Sequence, residues 1–181
     1  MPDSTFRVKG KNPGRVAARM RWTPDQIPDQ SGRTFVITGA NSGIGFHAAK
    51  TLGEKGADVV LACRRLDAAK QAAVRIDEVA PGKATPMHLD LEDLESVKDF
   101  VKAAPKRIDV LINNAGIMMV PRRISPQGFE SQWAINVVGH AQLTRLLLPH
   151  IRDRFVTISS IAHLSGTIDP ATWHGAGPLH Q

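Results

Sequence analysis

Tyrosine is absent from these 181 residues, and cysteine occurs once, at Cys63. A single cysteine permits no internal disulfide and leaves a cysteine-based zinc site short of ligands, so a reducing, cytoplasmic compartment is expected. Long apolar runs are also lacking. Nothing approaches the roughly 18–20 consecutive apolar residues that cross a bilayer, and the N-terminus has no continuous apolar stretch of signal-peptide type. Neither a membrane span nor secretion is expected. Lysine stops at Lys106, leaving the last 75 residues without one, and no internal repeat is present. What is there, 42% hydrophobic and 22% charged residues over this length, suits one globular domain with one core.

The net charge of +6 is unevenly placed. Arg7, Lys9, Lys11, Arg15, Arg19, Arg21 and Arg33 against Asp3, Asp25 and Asp29 put +4 within residues 1–33. Pro2, Pro13, Pro24 and Pro28 interrupt any apolar periodicity there. Residues 1–31 therefore read as a basic N-terminal extension and 32–181 as the folded domain. Such a tail raises polyanion binding or organelle targeting as alternatives, but Phe6 and Trp22 are its only aromatics, too few for the stacking of a single-strand binder. A solvated tail with no nucleic-acid partner is the expectation.

From Thr34 onward, β-branched runs alternate with helical spacing. Thr34–Thr38, Val59–Cys63, Ala84–His88, Val110–Asn113 and Phe155–Ser159 read as five strands. Ile44, Ala48 and Leu52 mark a first helix closed by Gly56; Ala69, Ala72, Ala73, Ile76 and Val79 mark a second, closed by Pro81 and Gly82. Leu94, Val97, Phe100 and Val101 mark a third. The longest runs from about Phe129 to Leu148, with Trp133, Val137, Ala141, Thr144 and Leu148 on one side and Pro149 stopping it. Strands alternating with helices need crossovers, so the sheet should be parallel and covered on both faces. The expected fold is α/β, a doubly wound (Rossmann) sheet in the order 3-2-1-4-5. Pro86 cannot donate to a ladder and so belongs at an edge, which suits the third strand.

Ligands of such sheets bind beyond the carboxyl ends of the strands. After the first strand, Thr38-Gly39-Ala40-Asn41-Ser42-Gly43-Ile44-Gly45 opens directly into a helix. Glycines let the backbone approach a pyrophosphate, and the free N–H groups and positive dipole end of the helix attract it. A tight strand-to-helix turn is the structural alternative, but strand, turn and helix stand in register, which favours a dinucleotide. No Gly-Lys-Ser or Gly-Lys-Thr follows, which excludes a phosphate loop of the ATPase kind. Beyond the second strand come Arg64 and Arg65, where an acid would hold the ribose hydroxyls of NAD. A cation at Arg64 suits the 2′-phosphate of NADP, against the alternative of a solvated arginine opening the next helix. Asp58 lies at the wrong end of that strand.

With these residues in view, the chain resembles the short-chain dehydrogenases/reductases from about Ser31 to Gln181. Gly39, Gly43 and Gly45 have the spacing of that family's glycine motif. Asn113-Asn114-Ala115-Gly116 looks like its Asn-Asn-Ala-Gly motif, which braces the sheet and lies against the cofactor. The resemblance implies adenine contacts for Asp90 and Leu91, a place in the catalytic group for Asn136, and polarisation of the substrate oxygen by Ser160. Each has a structural alternative: Asp90 as a cap before Leu94, Asn136 as a helix-surface amide, Ser160 as a strand-end turn residue. Ile27-Pro28-Asp29-Gln30-Ser31-Gly32, Ala62-Cys63-Arg64 and Ser159-Ser160-Ile161-Ala162-His163 are similar to the retinol-dehydrogenase-like subgroup. That subgroup implies NADP(H) and a lipophilic alcohol or carbonyl substrate, and the family resemblance implies pairing of subunits.

Hydride exchange at a carbonyl carbon needs a proton moved at its oxygen. The resemblance implies a Tyr-x-x-x-Lys motif beyond the serine, and neither residue is present. The sequence ends 21 residues after Ser160, so truncation, an incomplete domain at the C-terminal end, is expected rather than substitution. His163, His174 and His180 are poor substitutes, because a new base would lack the geometry of that helix. Ser160 lies outside any Gly-x-Ser-x-Gly elbow, which argues against a hydrolase. The expected function is NADP-dependent oxidoreduction, the alternative being a catalytically inactive NADP-binding or regulatory protein.

Overall fold

The structure, a computed structural model, describes residues 22–165. Five strands, β1 (Thr34–Thr38), β2 (Asp58–Cys63), β3 (Ala84–His88), β4 (Ile108–Asn113) and β5 (Ile151–Thr157), form one all-parallel sheet in the order β3-β2-β1-β4-β5. This is the expected doubly wound order. Pro86 pairs with Leu61 from the edge strand β3, whose outer side has no ladder to lose.

Helices α1 (Gly43–Glu54), α2 (Leu66–Asp77) and α3 (Leu94–Ala103) are the expected three, but the apolar face of α1 is carried by Phe46 and Ala49 while Ile44 is exposed, and α2 ends before Val79, which is also exposed. Helix α4 covers residues 131–147 in pieces: an α-turn at Ser131–Trp133, a π-helical stretch at Ala134–Gly139 and an α-helix at His140–Leu147. Alternate side chains of each strand serve opposite faces. Phe35, Ile37, Val59, Leu61 and Cys63 meet Phe46 and Ala49 of α1 and Ala69, Ala72 and Ile76 of α2. Val36, Val60, Ala62 and Leu111 meet Val97 and Phe100 of α3 and Leu143 and Leu147 of α4. Both faces of the central strands are therefore dry, which explains their uninterrupted apolar runs.

Several details depart from expectation, beginning with β2, which starts at Asp58 rather than Val59, and β4, which starts at Ile108 rather than Val110. Strand β5 begins at Ile151, four residues before Phe155, and ends at Thr157. Its start is set by the ladder, in which Ile151 pairs with Ile108 and Arg154 with Val110. The exposed edge tolerates Arg152, Asp153 and Arg154 there. The buried stripe of α4 is also different: Ala134, Ile135, Gly139, His140, Leu143 and Leu147 face inward, whereas Val137 and Leu148 are exposed. Several apolar stripes fit this segment, and the wider π turn shifts which of them meets the sheet. Pro149 lies inside a closing 3₁₀ turn, Leu148–His150, rather than just past the end of the helix.

Of the segment read as an extension, residues 22–31 are described, and their end is docked on the domain. Gln30 is buried, its N–H donates to the Lys55 carbonyl at 2.7 Å, and its Oε1 accepts from Arg33. No helix among the described residues is long and apolar enough to cross a membrane.

Candidate functional site

The carboxyl ends of β1, β2, β3 and β4 open onto a cleft of about 460 Å³. Its floor is the turn from β1 into α1. Gly39 has φ +66°, and a Cβ there would press to 3.0 Å against Ala115. At Gly45 a Cβ would come 2.4 Å from Asn114 Nδ2 and 2.7 Å from the Gly39 carbonyl oxygen. These two glycines let the β1 and β4 turns close on each other. Gly43 is different: φ is +56°, and a Cβ would meet nothing within 4 Å. Ser42 makes no side-chain cap at the start of α1, where the first N–H groups of a helix lack intrahelical acceptors. Asn41, Ser42 and the exposed Ile44 complete this side of the cleft.

Thr38, fully buried at the end of β1, ties the two turns together. Its Oγ1 accepts from the backbone N–H groups of Asn114 and Ala115, both at 2.9 Å, and its carbonyl accepts from Asn114 Nδ2 at 2.8 Å. His140 Nε2 lies 2.9 Å from the same Oγ1, nearer than the Ile112 carbonyl at 3.5 Å. Two accepted bonds use both hydroxyl lone pairs, so the hydroxyl proton is directed to Nε2 and the imidazole proton sits on Nδ1, facing the Asn136 carbonyl at 3.4 Å. Burial pushes the His140 pKa below its ordinary value of 6.5, opposed by the backbone contacts at Asn136 and Ile135, so the ring is held neutral.

Arg64 and Arg65 stand at the rim, where β2 leads into α2, and both are exposed. Arg64 Nη1 lies 3.8 Å from Glu92 Oε2, and Arg123 Nη2 lies 3.0 Å from the same oxygen. Asp90 and Leu91, beyond β3, line the cleft beside them. The cap of α3 is Asp93, which accepts from the Glu95 N–H, so Asp90 is not the cap; its Oδ1 accepts instead from the Glu92 N–H at 3.0 Å. Asp58, at the far end of β2, accepts from the Lys83 N–H. Cys63 also borders the cleft; burial raises its thiol pKa, opposed by the N–H groups of Ala40 and Asn41.

Asn114, Ala115 and Gly116 form the wall beyond β4. Asn136 lies in the π stretch and joins that wall through a two-way amide contact: its Oδ1 accepts from the Ile117 N–H at 2.9 Å and its Nδ2 donates to the Ile117 carbonyl at 2.8 Å. It is thus more than a helix-surface amide. Ser160 lies just past β5 and is exposed; its backbone carbonyl faces His163 Nδ1. His174 and His180 lie outside the described residues. Thr38, His140, Glu92 and Arg123 were not singled out as site residues by sequence reasoning. Only Thr38 carried a signal, as the last residue before the glycine turn.

Fold and cleft together define a Rossmann-type α/β domain whose ligand site lies at the carboxyl ends of parallel strands. A family profile described as short chain dehydrogenase matches residues 33–172. Human retinol dehydrogenase 13 is 39% identical over 146 residues, 76% of this chain and 44% of that protein. The crystal structure of an uncharacterized protein from Mycobacterium paratuberculosis superposes with a TM-score of 0.77 at 47% identity, over 82% of this chain and 53% of that one. The Pseudomonas aeruginosa RhlG/NADP active-site complex superposes at 0.64 with 27% identity, over 80% and 60%. The chain belongs to the short-chain dehydrogenase/reductase family, a family of oxidoreductases, and is retinol-dehydrogenase-like within it. It spans about half the length of the curated relatives it matches.

Proposed function

We propose that this chain is the cofactor-binding part of an NADP(H)-dependent oxidoreductase acting on a lipophilic alcohol or carbonyl compound. The observation that carries the reading is the position of Arg64, at the rim of a cleft floored by Gly39, Asn41, Ser42 and Gly45. The open space over Gly43 and the uncapped start of α1 fit a pyrophosphate held by Gly39, Asn41, Ser42, Gly43, Ile44 and Gly45. Arg64 takes the 2′-phosphate, Asp90 and Leu91 flank the adenine, and Asn114, Ala115 and Gly116 line the nicotinamide-ribose side. The resemblance to a solved NADP complex and to retinol dehydrogenases supports the cofactor and the substrate class.

When bound, the nicotinamide supplies or accepts the hydride. Asn136 fixes the wall beyond β4 through Ile117, and Ser160 polarises the substrate oxygen. The absence of tyrosine from the sequence favours a second reading for this polypeptide, nucleotide binding without turnover. Neither reading expects this polypeptide to oxidise NADPH steadily with retinaldehyde, since it carries no tyrosine acid/base; turnover by the protein isolated from its source would support the first reading, and NADPH binding there without turnover the second. The principal test is affinity. NADPH should bind tighter than NADH, and Arg64→Asp should reduce that preference by about tenfold or more, the scale of one charge-assisted hydrogen bond. Equal affinities for the two nucleotides in the wild-type chain would remove the role given to Arg64.

A further inference from the structure

Three charged groups meet at the rim of the cleft, and their distances are unequal. Glu92 Oε2 is hydrogen-bonded to Arg123 Nη2 at 3.0 Å, while Arg64 Nη1 stands 3.8 Å from the same oxygen, beyond hydrogen-bond reach. The Glu92 side chain is 14% exposed, against 53% for Arg123 and 54% for Arg64. A largely buried carboxylate needs a cationic partner, and these two guanidinium groups are the ones within 4 Å among the described residues. Glu92 is held in the turn by its N–H on Asp90 Oδ1, and Arg123 is anchored by its carbonyl, which accepts from the Ser131 N–H at 2.9 Å. Neither Glu92 nor Arg123 lines the cleft; Arg64, Arg65 and Asp90 are the charged residues that do.

We infer that Glu92 and Arg123 set the strength of the preference for a 2′-phosphorylated nucleotide, Glu92 by drawing on the charge of Arg64 and Arg123 by holding Glu92 to itself. The inference rests on the assignment of Arg64 to the 2′-phosphate. A phosphate arriving at Arg64 meets a carboxylate already 3.8 Å from that cation, and like charges there oppose binding. Arg123 compensates the carboxylate and leaves Arg64 available. Without Arg123, the nearest cation for Glu92 is Arg64 itself, and the anion site closes on an internal ion pair. NADH, which has no 2′-phosphate, is indifferent to this exchange, so the two residues act on the ratio of affinities rather than on binding in general.

The test measures dissociation constants of NADPH and NADH at low salt, by nucleotide fluorescence, for the 181-residue chain and its variants. Glu92→Gln should tighten NADPH by about three- to fivefold and leave NADH unchanged, the range of a partly exposed charge pair. Arg123→Met should weaken NADPH by about the same factor, Arg123→Lys should restore it, and the Glu92→Gln, Arg123→Met double variant should match Glu92→Gln alone. Equal changes for both nucleotides would mark the pair as structural and overturn the inference. An unchanged ratio in Glu92→Gln and Arg123→Met, with Arg64→Asp still lowering it, would overturn this inference and leave Arg64 in place. No effect from Arg64→Asp, or no binding of either nucleotide, would overturn both.

Discussion

Gly43 and Gly45 are two residues apart and do different things, which makes them separable by experiment. Gly45→Ala drives a methyl group into Asn114 and the Gly39 carbonyl, so it should cost about 1–3 kcal/mol in denaturant unfolding as an overpacked site. Gly43→Ala strains a left-handed residue by roughly 1–2 kcal/mol but meets no neighbour, so its larger effect should fall on NADPH affinity, where the methyl group occupies the approach to the backbone. Equal effects of Gly43→Ala on stability and none on NADPH would contradict the division. Both glycines were legible in the sequence, Gly45 because close backbone approach excludes a side chain and Gly43 because its positive φ favours glycine. Thr38 with His140, 102 positions apart, and Glu92 with Arg123, 31 apart, left none, since polar partners joined across the fold have no spacing rule.

The Thr38–His140 contact also predicts a pH dependence. Burial lowers the folded His140 pKa below 6.5, so the unfolded chain binds more protons between the two values and stability rises with pH across that window. Acidification from pH 7.5 toward 5.5 should lower the unfolding midpoint, and His140→Gln should flatten that slope. Asp29, Asp99 and Asp153 are lowered chiefly by hydrogen bonds from Ser31, Lys102 and Arg154, but all three are exposed and act only in the more acidic carboxylate range. A slope unaltered in His140→Gln would show that the ring is not the titrating group.

Among the elements, α4 depends on the residue that caps it. Glu130, itself buried, accepts from the N–H groups of Gln132 and Trp133 and from Ser131 Oγ, and so opens the helix that carries Asn136. Glu130→Ala should cost about 1–2 kcal/mol, read by denaturant unfolding. Strands β1 and β2 and the body of β4 were legible because both faces are dry and their apolar runs are nearly unbroken, whereas β3 is a half-buried edge strand marked by Pro86. The start of β5 was hidden by Arg152, Asp153 and Arg154, which an edge strand accepts. The inward stripe of α4 was hidden by the π stretch, which no helical spacing rule anticipates.

At the scale of the whole molecule, β3 and β5 are the sheet edges, and β5 pairs with β4 alone among the described residues. Phe155, Val156, Ile158, Ile161 and Leu164 are exposed beside it. An apolar edge of this kind promotes association, so the isolated 181-residue polypeptide should elute as more than a monomer in light-scattering chromatography, and Phe155→Lys should reduce this. A sharp monomer peak at all concentrations would contradict the prediction.

The central claim is that the cleft at the carboxyl ends of β1 to β4 holds a phosphorylated nicotinamide dinucleotide. Amide hydrogen exchange of the chain with and without NADPH tests it most directly. Protection confined to residues 39–45, 64–65, 90–91 and 114–117 is the predicted result. Protection elsewhere, or none at saturating NADPH, would contradict it.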